Sequence, residues 1–362
     1  MLILHNQISP YRLPIFERLN KEFKITVLFC EPKSPDRLWE TEIINKFNFH
    51  WKILKGKRIG RIILNNPVEI IRELKNSDAI IIAETVETTP STVLVLILSR
   101  VLKKKVILWT ERIESPWVNR KFMGPKRILK ETYEKVIFFM SNIVAAYSKK
   151  SREHALKIGA SPGKLVEGVQ VVPREVYPQR EQEVPGIEKS KRRVLYLGYL
   201  RPEKGVVYLV NAFNKLNTDA ILVIAGKGPI LSELKKNAGQ KVVFTGYVPE
   251  EAKAYLYKVS SVFVLPTLHD PWGLVINESL YYGTPVITTT AAAGSVLIDE
   301  GKTGFIVRPG DEKELQRTLS IILENPKLIR KMKHITMKTG KKYSNAELGA
   351  RHFFKAIQRL HE

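Results

Sequence analysis

The stretch "SVFVLPTLHDPWGLVINESLYYGTPVITTT", Ser261 to Thr290, reads as strand, loop, helix and strand. Its first apolar run ends at Thr267, and a loop follows that holds Asp270, Pro271, Trp272 and Gly273. "LVINESLYY" then reads as a helix that stops at Gly283, a residue suited to a helix C-cap. Both strand runs are continuously apolar rather than alternating. Strands of that kind are buried on both faces, which predicts a parallel sheet covered by helices on each side.

The same unit recurs along the chain. "LILHN", "KITVLFC", "AIIIAE", "KVILWTE" and "IVAAYS" are strand-like in the first half, with "YRLPIFERLNK", "NPVEIIRELKNS" and "KRILKETYEKVIFFMSN" as helical stretches between them. In the second half "RRVLYLGYL", "AILVIAG", "KVVFTGYV", "SVFVLPT" and "PVITTT" repeat the scheme. Val172 to Arg193 is rich in Pro and charge and lacks periodicity, as an interdomain linker does. We therefore expect two doubly wound α/β domains, at residues 1–171 and 192–344, with a linker at 172–191. Ligands of such sheets sit at the carboxyl ends of the strands, and two sheets face to face would form a cleft.

The 362 residues are ample for two cores, and 44% hydrophobic with 26% charged residues is a globular composition. Cys30 is the only cysteine, so no internal disulfide forms. The N-terminus lacks a signal-peptide pattern, and the longest greasy run, "VLVLILS", is far short of a bilayer span. We expect a cytoplasmic protein. The formal net charge of +23 attracts anionic lipid, nucleic acid or phosphorylated substrates. It is spread over both halves, so it argues against a dedicated nucleic-acid module. Abundant Lys, Ile and Glu point to a thermophilic source.

Two loops carry chemistry. Asp270 lies just past a strand, and Glu278 about a turn into the next helix. Gly273 lets backbone approach a ligand, and the N–H groups of Leu274 and Val275 at a helix start suit phosphate. Glu278 is placed to bind vicinal hydroxyls; the alternative is a turn Asp and a solvated helical Glu. In "GYLRPEKG", Gly198 to Gly205, Arg201 and Lys204 suit a diphosphate, or are merely solvated. "AGKGP", Ala225 to Pro229, lacks the third Gly of a dinucleotide fingerprint. We see no His, Cys and acid cluster with metal-ligand spacing.

With these residues in place, the second half resembles the retaining glycosyltransferases of family 4, which have the GT-B architecture of two facing Rossmann-like domains. The family pattern E-x7-E is matched by Asp270 and Glu278, within "VFVLPTLHDPWGLVINESLYYGTPVITT", and the match continues through "GYVP" and "GKTGFIVRPGD". It covers nearly all of residues 192–325, with a weaker extension through "YSKKSREHALKIGASPGKLVEGVQVV". The resemblance implies a metal-independent enzyme without a cofactor that takes a nucleotide-diphosphate sugar. Glu278 would hold the ribose, Asp270 the transferred hexose, and the amides of Leu274 and Val275 the diphosphate. Lys204, with Arg201, would stabilise the departing phosphate, and Tyr247 and Val248 would cradle the base. Three positions depart from the family. Tyr199 stands where Arg is usual, Asp270 is one methylene shorter than Glu, and Pro173 occupies a common Asp position.

On the acceptor side, "NQISPYRLPIFERL" resembles family members acting on polysaccharide or lipid-linked acceptors, which would place Ser9, Pro10, Tyr11 and Arg12 at the acceptor. An N-cap Ser with a surface Arg is the alternative. Glu111 stands near the place where the family often has a catalytic His. From Trp117 to Met140, Arg120, Lys121, Lys126, Arg127 and Lys130 interleave with Trp117, Phe122 and Met123. That mixture suits peripheral contact with the anionic inner face of a membrane, or else a loop leading into a core helix. The terminal helix, residues 345–362, would by resemblance pack back on the first domain. The expected function is transfer of a hexose-type sugar to a glycan, lipid-linked or small-molecule acceptor, with no nucleic acid involved. The alternatives are a nucleotide-sugar epimerase or hydrolase on the same fold, or a basic membrane- or nucleic-acid-binding scaffold that has lost catalysis.

Overall fold

A computed structural model describes residues 1–35, 39, 41–121, 123–187 and 192–362. The chain forms two compact units. The first comprises Met1–Glu114, Asn119–Glu175 and Ala346–Glu362; the second comprises Ser115–Val118 and Val176–Asn345.

The first unit is built on β1 (Leu2–Gln7), β2 (Thr26–Glu31) and β3 (His50–Ile53), a hairpin of β4 (Gly56–Ile59) and β5 (Ile62–Asn65), then β6 (Ala79–Glu84), β7 (Lys105–Thr110), β8 (Ile143–Ala146) and β9 (Leu165–Glu167). Its main sheet runs in the order β3-β2-β1-β6-β7-β8-β9, parallel at every pairing. The continuous apolar runs explain this arrangement. Leu2, Leu4, Leu28, Ile80, Ile82 and Leu108 fill a core on one face, whereas Ile3, Val27, Phe29, Ile81 and Trp109 fill a second core on the other. Alternate side chains of one strand thus enter different cores, and both need apolar residues. Phe353 and Ile357 of the helix Ala346–Gln358 complete the second core beside the helix Leu13–Phe23.

The second unit contains β10 (Arg193–Leu197), β11 (Ile221–Ala225), β12 (Val242–Gly246), β13 (Val262–Leu265), β14 (Val286–Thr289) and β15 (Gly304–Val307), ordered β12-β11-β10-β13-β14-β15 and again parallel. Both units are therefore Rossmann-like α/β structures. The strands absent from the sequence reading, β3, the hairpin, β9 and β15, each interrupt their short apolar run with a polar residue or a glycine. From Val176 on, the described part of the Pro- and charge-rich stretch belongs to the second unit. Tyr177 stacks on Tyr281, and the Gln182 N–H donates to the Glu251 carbonyl.

In each sheet the strand order reverses beside the first strand, between β1 and β6 and between β10 and β13. The crevice outside the carboxyl ends of the strands at such a reversal is where open α/β sheets bind ligands. The loops after β10 and β13, selected above for their charges, flank that point in the second unit.

Candidate active site

The basic loop after β10 is fastened before it presents any charge. Tyr196, buried in the strand, donates its hydroxyl to the Tyr199 carbonyl. A short turn, Pro202–Lys204, ends at Gly205 in left-handed backbone, with φ 66°. A Cβ there would lie 2.0 Å from the Pro266 carbonyl oxygen, so only glycine lets this loop meet the loop after β13. The Leu268 N–H and the Thr267 hydroxyl both donate to the Glu203 carbonyl, each at 2.8 Å. Gly226 and Gly228 of "AGKGP" back onto Gly198 and Leu200, so those glycines serve close packing of the same loops.

This lacing brings Lys204 and Asp270 together, with Nζ 2.6 Å from Oδ2. The other carboxylate oxygen of Asp270 accepts the Trp272 N–H at 3.1 Å, and its main chain pairs with Ala291 and Ala293. The acid is thus fixed on three sides. Lys204 is about a quarter exposed, a cation at the mouth of the site. Arg201 lies beside it in sequence, but its guanidinium rests 4.6 Å over the Tyr199 ring and 3.9 Å from Glu203. The departure at Tyr199 therefore has a structural consequence, a platform for Arg201.

Gly273, at φ 84°, turns the chain into the helix Leu274–Tyr281. Leu274 and Val275 open it, so their amides have no acceptor within the helix. Glu278 follows in the second turn. Its carboxylate accepts the Tyr257 hydroxyl at 3.0 Å. Burial raises its pKa, the nearby Lys253 ammonium opposes that rise, and the Glu250 charge adds to it. Lys253 itself is held protonated against burial by Glu278 and Glu250, and donates to Glu250 at 2.6 Å. Tyr177 and Tyr281 stack 3.7 Å apart next to this acid. Lys253, Tyr257 and Tyr177 carry no motif in the sequence. Tyr247 and Val248 follow β12, the former exposed and the latter buried.

In the first unit, Ser9, Pro10, Tyr11 and Arg12 follow β1 at the strand-order reversal. Arg12 does not project outward. Its guanidinium lies 4.5 Å from the Trp109 ring, 4.9 Å from Tyr11 and 5.0 Å from Tyr147, and donates to Gln170 Oε1 at 2.5 Å. The neighbouring His5 and His352 are buried and held neutral, their pKa values pushed down to about 3 by desolvation and then by the Arg12 charge. Glu111, after β7, acts electrostatically on Tyr147 at the edge of this cage. Behind the β6 and β7 ends lies a second buried group that the sequence did not disclose. Arg112 spans Glu84 and Glu134, and Glu134 also accepts Lys130 at 3.1 Å and His154 at 3.2 Å.

Among the described residues no group of three His, Cys, Asp or Glu is placed to hold a metal ion. No helix among them is long and apolar enough to cross a membrane.

Residues 179–339 match the family described as glycosyl transferases group 1. An uncharacterized glycosyltransferase of Methanocaldococcus jannaschii is 33% identical over 34% of this chain and 34% of its own length. An alpha-D-kanosaminyltransferase of Streptomyces kanamyceticus is 31% identical over 38% of each. The chain thus spans about a third of the length of these curated relatives. A crystal structure of Anabaena HepE in complex with UDP superposes with a TM-score of 0.77 over 99% of both chains, at 15% identity, and so shares the fold. The similarity to the glycosyl transferases group 1 therefore lies within residues 179–339, inside the second unit.

Proposed function

We propose that the protein is a retaining, metal-independent glycosyltransferase that moves a hexose-type sugar from a nucleotide-diphosphate donor to a glycan, lipid-linked or small-molecule acceptor. The observation that carries this reading is the Lys204–Asp270 pair beside the Gly273 turn at the strand-order reversal, with Glu278 one to two helical turns further on. A donor spanning that distance would place sugar hydroxyls at Asp270, the diphosphate at Lys204 and the Leu274 and Val275 amides, and ribose hydroxyls at Glu278. Lys204, already beside the sugar-positioning acid, would counter the charge that develops on the leaving diphosphate, with the helix start contributing fixed dipoles. The phosphate oxygen would take the acceptor proton on the face from which it departs. Arg201, steered by Tyr199, would support the outer phosphate, and Tyr247 with Val248 would border the base.

Names among the relatives support the donor and widen the acceptor class. The Anabaena structures include one in complex with UDP-glucose, and one relative is a phosphatidyl-myo-inositol mannosyltransferase of Mycobacterium leprae.

Calorimetric titration of nucleoside diphosphates into wild type and Glu278→Ala tests the reading. Loss of a charged hydrogen-bond acceptor should weaken binding roughly ten- to a hundredfold. Equal affinity of the two proteins would refute the assignment of Glu278. Anomeric configuration of the product, followed by proton NMR from the first turnovers, separates retention from inversion. Donor converted without an acceptor would point instead to an epimerase or hydrolase.

A further inference from the structure

In the first unit the helices Thr89–Val101 and Pro125–Met140 lie side by side, with Val95, Leu96, Ile137 and Phe138 in one core. Their outward faces are unlike those of ordinary surface helices. Val93, Ile97 and Val101 recur every four residues on the first, and all are exposed. Ile128, Leu129, Val136 and Phe139 are exposed on the second, Leu129 and Phe139 at 73% each. The acid Glu134 of that helix points inward instead, fully buried and held by Arg112 and Lys130. The helix therefore buries a carboxylate beside Ile137 and Phe138 while it leaves other large aliphatic and aromatic side chains outside. Arg100 joins the two outer faces, its guanidinium 5.4 Å from the Phe139 ring. Exposed apolar surface on this scale marks an interaction site rather than a scatter of single residues.

The rim identifies the occupant. Lys126 and Lys135 on one helix, and Arg100 and Lys103 at the end of the other, are exposed cations around the apolar strip. The acid Glu131 is paired with Arg127 at 2.8 Å. Self-association of two copies through this face would set like charges against each other. Lipid phosphates would neutralise them while the apolar side chains enter the boundary between headgroups and acyl chains. We infer that this two-helix face docks the protein on the surface of an anionic lipid bilayer. The anchors coincide only in part with those the sequence offered, sharing Lys126 and leaving Met123 exposed beside the helix. Trp117 belongs to the second unit, and Phe122 and the Lys121 side chain lie outside the described residues. The helix Thr89–Val101, with no basic–aromatic signature, supplies half of the face.

The inference is independent of the donor chemistry. Its test is flotation of the full chain with phosphatidylcholine vesicles, with and without phosphatidylglycerol, at low and high salt. Two variants accompany it, Leu129→Glu with Phe139→Glu, and Arg100→Glu with Lys103→Glu. All four side chains are exposed, so cooperative unfolding and the response to nucleoside diphosphate should persist in both. Wild type should float with the anionic vesicles and be released by salt, and each double variant should bind roughly tenfold more weakly or worse. Three results would overturn the inference. One is failure of wild type to float at low salt. Another is flotation of the Leu129→Glu, Phe139→Glu protein equal to wild type. The third is a concentration-dependent dimer in sedimentation that this variant dissolves, which would assign the face to a second copy. Loss of nucleotide response with flotation intact would instead strike the donor assignment alone.

Discussion

Glu134 in the first unit and Glu278 in the second are both carboxylates on helices drawn away from water, and their surroundings push them in opposite directions. Burial would raise Glu134, but the His154 hydrogen bond and the charges of Arg112 and Lys130 outweigh it and bring its pKa down to about 2. Glu278 faces tyrosines, one ammonium and a second acid, so burial prevails and its pKa rises. The first carboxylate is satisfied by the protein and fixes structure. The second is incompletely compensated, which is the state expected of a group kept for a ligand's hydroxyls.

Removing Glu134 should do the most damage. Glu134→Leu leaves Arg112 and Lys130 with a buried acid missing, and breaking such a network costs about 3 to 5 kcal/mol in denaturant unfolding. A loss below about 1 kcal/mol would show that the charges relax to water and would break the contrast. At the opposite pole, Lys204→Ala should leave stability nearly intact while slowing sugar transfer by roughly a hundred- to a thousandfold. Combined with Asp270→Ala it should be strongly non-additive, because the two side chains are in direct contact. Additive losses in steady-state turnover would mean the pair does not act as a unit.

The pH dependence sharpens the comparison further. The folded pKa of Glu134, about 2, lies below its ordinary 4.5, so its stabilisation is complete above pH 4.5 and fades as pH falls toward 2. About 3 kcal/mol should be lost over that window, visible as a gap between wild type and Glu134→Gln that closes on acidification. Glu278 has the reverse sign. Its raised folded pKa means that its contribution declines as pH climbs through the carboxylate range. The smallest effect is expected of Tyr257→Phe, which removes the hydroxyl donated to Glu278. Nucleotide affinity should fall only a few-fold, about 1 kcal/mol or less, with the deficit greatest at the acid end. A pH-independent deficit in titration calorimetry would place Tyr257 in packing rather than in the ionisation of Glu278.

Much of this molecule was legible before folding. Continuous runs such as "AIIIAE" and "SVFVLPT" required two-sided burial, and that requirement sets a parallel sheet with helices on both faces. Asp270, Gly273 and Lys204 were legible as candidates because they lie in loops after strand runs, and Glu278 because it keeps the spacing of the family pattern. Arg12 was visible too, yet its surroundings were not. The rings of Trp109 on β7 and Tyr147 just after β8 reach it from 97 and 135 residues away. Nor could the sequence reveal that Glu134 faces inward, since an acid flanked by Thr132, Tyr133, Lys135 and Val136 reads equally well on either side of a helix.

The division follows from range. Hydrophobic pattern, turn glycines and loop charges act over a few residues, so the sequence alone determined the βα units, their two-sided burial and the charged loops at their ends. Lys204 meeting Asp270, Glu278 lying among tyrosines and two helices sharing an exposed apolar face each join residues far apart in the chain. Such pairings depend on strand order and on which helix covers which face, so only the tertiary structure decided them.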